Sequence, residues 1–213
     1  MEFWPLKDYC NSYDIERPGC AAKRLIGRNK MMSPNFHEID WRIQPLRNVI
    51  VGINAGLAAI QKRLDTEEWF YGIWAREYAE PLFGLGFVAA QTYALGTVTD
   101  LISVRMSRGK SKEDKLEEFK KVCYACDTVV LRGGVKRIQI INASANYFKH
   151  HDEWGARWPR NYNTETLDKV GITEKTEFPC IDAVDLLCGT SWELIVLHQI
   201  LKEWRAHLFS TLL

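Results

Sequence analysis

The sequence predicts an all-α fold: an up-and-down bundle of four to five long helices behind an irregular N-terminal arm. Three observations carry this. Apolar residues recur at steps of three and four over several long segments, which is the period of an amphipathic helix. No window pairs strand-like alternation with flanking turn residues. The chain has 213 residues, 46% of them apolar, with eight Trp. That is enough apolar matter to bury a core without a disulfide or metal staple, and too much for a disordered chain.

The elements follow in order. Residues 1–42 are punctuated by Pro5, Pro18, Gly19, Gly27 and Pro34. No apolar period lasts more than a turn there, so they form the arm, packed on the bundle through Phe3, Trp4, Tyr9 and Tyr13. Residues 43–213 form the single helical domain. A helix follows Pro45, with Leu46, Val49, Ile50, Ile53, Leu57, Ile60 and Leu64 on one face. Proline is tolerated in a first helical turn, where its missing N–H costs nothing. Glu67 to Glu80 holds Trp69, Phe70, Tyr71, Trp74 and Tyr78 and reads as a short helix or aromatic connector.

A second long helix runs from about Pro81 to Arg108. Its small residues Gly84, Gly86, Ala89, Ala90, Ala94 and Gly96 let a neighbour approach closely. Ser111 with Asp114 caps a third helix over Lys112 to Leu131. After Gly133-Gly134 a fourth spans Val135 to about Trp154. Residues 155–180 are polar, carry Pro159, Gly171 and Pro179, and read as a long loop. Asp182 to Leu212 is a final long helix, with Val184, Leu187, Leu194, His198 and Leu201 among its face residues.

Charge narrows the function classes. Lys and Arg number 28 against 27 Asp and Glu, a formal net charge of +1. This argues against broad, salt-sensitive polyanion binding and leaves room for a local basic site. No run of about 18 uninterrupted apolar residues is present, and the first residues lack the basic and apolar regions of a signal peptide. The expectation is a cytoplasmic protein with no membrane partner. Its six Cys are scattered, as buried thiols are in cytosolic chains.

The richest segment for chemistry is Asn142 to Trp154. Ile138, Ile141, Ala145 and Phe148 fall on one apolar stripe, and Asn146, His150 and Glu153 line up on another face. An amide, an imidazole and a carboxylate in a row suit a histidine oriented for acid–base work near neutral pH. The same array also suits a self-capped, solvated helix end. A metal site built on His150 and Glu153 needs a further ligand such as His37, Glu38 or Asp40, because adjacent helical residues diverge; no metal or other cofactor is expected.

Cys123-Tyr-Ala-Cys126 is a lone CxxC on an amphipathic helix, and two buried thiols are its simplest reading. His198 reads as a core or interface histidine and His207 as a surface one. Trp154, Trp158 and Tyr162, beside Arg157 and Arg160, form the one basic–aromatic cluster. Such a cluster either stacks single-stranded bases or pins a loop to the bundle.

The helical layout of residues 43–213, with Ala145-Asn146-Tyr147-Phe148-Lys149-His150, resembles the HEPN superfamily of prokaryotic defence and toxin proteins. Many members are metal-independent endoribonucleases. They dimerise so that two copies of an Arg-Asn-x-x-x-His motif meet. Asn146 and His150 match the motif's Asn and His, and Ala145 stands where it has Arg. The resemblance implies His150 as the acid–base group, Asn146 as its orienting or phosphate-contacting neighbour and Lys149 as a cation. His151, Glu153, Trp154, Arg157, Trp158 and Arg160 become candidate binding residues. It also implies a homodimer acting on RNA, with an antitoxin or other protein partner. The absent Arg, which would stabilise charge on the scissile phosphate, favours a second expectation: a catalytically inactive ligand-binding or protein-interaction module.

Overall fold

The computed structural model describes residues 36–109, 116–154 and 157–213. The arm through residue 35, with its aromatics and Cys10 and Cys20, and the Ser111–Asp114 cap lie outside the described residues. Those described form seven α-helices and no strand, within the compact unit Pro34–Leu213. The helices are α1 (Ile43–Thr66), α2 (Gly72–Ser107), α3 (Leu116–Ala125), α4 (Arg137–His150), α5 (Tyr162–Lys169), α6 (Pro179–Cys188) and α7 (Ile195–Leu212). The all-α bundle stands as expected. Seven helices stand where four or five were expected: α2 is longer than expected, and α3, α4 and α7 are shorter.

Helix α1 buries Leu46, Ile50, Ile53, Leu57 and Ile60 from the expected stripe. Val49 and Leu64, also placed on that stripe, stay exposed. Helix α2 is the spine of the fold, about 54 Å long at 1.5 Å per residue, and α1, α4, α6 and α7 all contact it. It starts at Gly72, so Pro81 lies inside it and does not open it. The aromatic connector shrinks to residues 67–71. Interior proline removes one donor and crowds the preceding turn. Burial of Ala75, Ala79, Phe83 and Phe87 on either side outweighs that cost. So does Glu80, whose carboxylate accepts the backbone N–H groups of Cys180 (2.7 Å) and Ile181 (2.9 Å). These are orphan donors at the start of α6. Burial pushes the Glu80 carboxyl up, and the same two hydrogen bonds oppose the shift.

Three further differences have local causes. Helix α3 ends at Ala125, well short of Leu131, because buried Asp127 turns the chain. Its carboxylate accepts the backbone N–H of Arg137 (3.0 Å) and the Arg137 guanidinium (2.7 and 3.0 Å), capping α4 from outside. The expected loop 155–180 contains α5. Asn161 caps it by accepting the N–H groups of Asn163 (2.9 Å) and Thr164 (3.1 Å). Gly171, at φ +81°, closes it as the N–H of Ile172 reaches the Leu167 carbonyl (3.0 Å). The single final helix is two helices. Gly189 (φ 68°) and Trp192 (φ 56°) take left-handed backbone, and the Trp192 ring sits edge-on to Phe83 at 5.3 Å. The N–H of Leu194 then donates to Asn54 Oδ1 at 3.1 Å, tying the restart to α1.

Behind α2, Asp100 is 1% exposed and receives Arg42 from before α1 and Arg205 Nη1 (3.2 Å) from α7. Two guanidinium groups on one buried carboxylate compensate its desolvation. On the opposite side α4 lies hard against α2. A Cβ on Gly84 would stand 2.1 Å from the Phe148 ring, so only glycine admits this approach. Gly84→Ala is expected to lower the urea-unfolding free energy by about 1–3 kcal/mol, the usual cost of overpacking a filled core. A change near zero would mean that the two helices are not this close.

Candidate functional site

The site is built on α4. Ile138, Ile141 and Ala145 are 0% exposed and bind one face of the helix to the core. That leaves Asn142, Asn146 and Lys149 on the edge facing α2, α3 and α5. From α2, buried Gln91 donates through Nε2 to Asn142 Oδ1 (2.9 Å) and accepts Lys149 Nζ at its Oε1 (2.8 Å). Asn142 Nδ2 donates to Asn163 Oδ1 on α5 (2.9 Å), and Asn146 Nδ2 to the Asn142 carbonyl (2.9 Å). The result is a chain of amides from three helices ending on an ammonium.

This chain forms one wall of a cavity of about 370 Å³. The other walls are Leu95 of α2, Tyr162, and Glu117, Lys120, Lys121 and Tyr124 of α3. Lys120 Nζ donates to both oxygens of Glu117 (3.0 and 3.1 Å), and the Lys121 ammonium lies 5.1 Å from the Tyr162 ring centre. Partial desolvation at the cavity wall lowers the Lys149 pKa, and the nearby Lys120 charge lowers it further. Tyr124 is 2% exposed and its hydroxyl has no hydrogen-bond partner. Burial raises its pKa, so it stays a neutral donor.

The expected site residues separate into three groups. Asn146 and Lys149 meet at the cavity. His150 does not line it: exposed at the end of α4, its Nδ1 lies 3.3 Å from Glu153 Oε1. Ala145, in the motif's Arg position, is sealed in the core. The third group is aromatic. The His151 ring stacks on Tyr147 at 5.0 Å, and Trp154 and Trp158 close around Tyr147 at 6.0 and 5.1 Å. Trp158 also donates its backbone N–H to Glu174 (3.2 Å). These rings pack on each other and on α4, the loop-pinning alternative of the cluster. Arg157 and Arg160 are exposed, and Arg160 with Trp158 borders a separate cleft of about 700 Å³ whose charges are mixed: Glu165, Asp168 and Glu174 beside Lys169 and Lys175.

Gln91, Asn142, Asn163, Lys120, Lys121 and Tyr124 are the residues that sequence reasoning missed. The remaining candidates lie elsewhere. His37 and Asp40 belong to the Asp100–Arg205 cluster, and Glu38 pairs with Arg108 at 2.9 Å. None of the three reaches His150. Among the described residues no three His, Cys, Asp or Glu converge as a metal would require. His198 is half-buried, its pKa lowered by burial and then by Arg47 and Lys202, and His207 is exposed. Cys123 is buried in the core and Cys126 is half-buried.

No protein-family model, no curated protein and no solved structure matches the chain.

Burial raises the Cys126 thiol pKa, with Lys136 opposing only in part. A redox-active CxxC needs a thiol whose pKa is depressed. Iodoacetamide at neutral pH is therefore expected to label Cys126 in the folded protein no faster than it labels a small-molecule thiol. Faster labelling, mapped by mass spectrometry, would reinstate redox chemistry at this pair.

Proposed function

We propose that the chain is a HEPN-like helical bundle that acts as a ligand-binding module of the cytoplasm and does not cleave RNA. The observation that carries this is the division of the motif on α4. Asn146 and Lys149 border a polar cavity, His150 lies outside it, and Ala145 is buried where a clamp for a scissile phosphate would be needed. Acid–base chemistry needs the histidine and the charge-stabilising donors on one reacting group. Binding needs only the cavity and its donors. Helices α1 and α2 are long and apolar enough to cross a membrane by length and composition, and on this reading they pack on each other in the bundle, α1 through one face.

A second reading keeps RNA cleavage. The exposed His150–Glu153 pair favours it, because a second copy of the chain or an RNA strand has access to that imidazole. In that case a homodimer brings two His150 side chains to one groove, and the missing cation comes from elsewhere.

The two readings separate in one assay. Purified protein and His150→Ala are incubated with single-stranded RNA in the presence of a chelator. Binding without catalysis predicts intact RNA in both. It also predicts an unfolding free energy for His150→Ala within about 0.5 kcal/mol of the parent, as for other exposed positions. RNA cleavage that disappears in His150→Ala would overturn it.

A further inference from the structure

The binding reading leaves the ligand open, and the cavity walls narrow its chemistry; a ligand class assigned to this cavity rests on that reading. Three ammonium groups, on Lys120, Lys121 and Lys149, face one carboxylate, Glu117. Glu117 is engaged by Lys120, and Lys149 is held only by the neutral Gln91 amide. A compact dianion between α3 and α4 relieves the excess positive charge.

The rest of the ligand is constrained by the amides. Asn146 uses its Nδ2 on the Asn142 carbonyl and keeps Oδ1 as an acceptor. Asn163 uses Oδ1 on Asn142 and keeps Nδ2 as a donor. A neighbouring acceptor and donor match hydroxyl groups, which both give and take a hydrogen bond. An aromatic base is poorly served. Leu95 is the single aliphatic side chain of the wall, the Tyr124 ring is buried, and Lys121 stands over the Tyr162 ring. At about 370 Å³ the cavity has room for a molecule well beyond a free phosphate ion.

We propose that the cavity between α2, α3, α4 and α5 binds a small sugar phosphate, its phosphate held by Lys120 and Lys149 and its hydroxyls by Asn146 and Asn163. Lysine serves here as a point charge for phosphate, and hydrogen bonds from charged donors are the stronger class.

Isothermal titration of the full chain with glucose 6-phosphate, inorganic phosphate and AMP tests this. Glucose 6-phosphate is expected to bind at least about tenfold more tightly than inorganic phosphate, and AMP no more tightly than inorganic phosphate. Lys149→Gln and Lys120→Gln are each expected to weaken glucose 6-phosphate by at least about fivefold, the loss of one hydrogen bond to a charged group. Lys149 is exposed at the cavity mouth, so its variant keeps the test valid if Lys120→Gln folds poorly. Failure to saturate by about 10 mM ligand, or equal binding by Lys149→Gln, would overturn the proposal. AMP binding more tightly through Lys149 would overturn the sugar phosphate alone and leave a ligand-binding module standing. Loss of that wider reading has its own signature, His150-dependent RNA cleavage.

Discussion

The close approach of α4 to α2 is the constraint on which the rest of the molecule depends. It is set by one absent side chain and one buried amide. Gly84 leaves the space that the Phe148 ring fills, and Gln91, two turns further along α2, bonds both Asn142 and Lys149 of α4. The first contact fixes the distance between the helices. The second fixes rotation, because Gln91 must satisfy its buried donor and acceptor at once. With distance and rotation set, Ala145 has to point into the core and Asn146 has to point toward α5.

That rotation decides what the Asn-x-x-x-His spacing can do. Residues four apart share a face on an ideal helix, yet the last turn of α4 runs out at the protein surface. Asn146 is still walled by α3 and α5, whereas His150 has passed beyond them and meets only Glu153. A motif that reads as one catalytic array is thereby divided into a cavity-facing half and a solvent-facing half. The aromatic group completes the arrangement: Tyr147, His151, Trp154 and Trp158 pack together on the remaining side of the helix end.

The sequence made the bundle legible wherever burial was periodic. Leu46, Ile50, Ile53, Leu57 and Ile60 in α1 and Ile138, Ile141 and Ala145 in α4 all sit where their spacing puts them. Helix breaks were legible only in part. The α6–α7 break keeps the apolar period on either side of Gly189, so periodicity alone reads straight through it. Helix α5 is short and polar, and its clearest signal is the Asn161 cap three residues before Thr164, which is easily lost between Pro159 and Gly171. Pro81 misled in the opposite direction, because tertiary burial around it outweighs its local cost.

The site was legible to the extent that it lies on one helix. Asn146 and Lys149 stand out from their neighbours, but their partner Gln91 is 58 residues from Lys149 and Asn163 is 21 from Asn142. No local pattern joins them. Only the packing of four helices does, and Tyr124 and Lys120 enter the site for the same reason.

Asn146 and Lys149 face one space and His150 another. Side-chain amide and imidazole NMR signals, followed while glucose 6-phosphate is added, test it most directly. Saturable shifts are expected at the Gln91, Asn146 and Asn163 amides, with the His150 ring signals unmoved. Shifts led by His150, with the three amides unchanged, would contradict it.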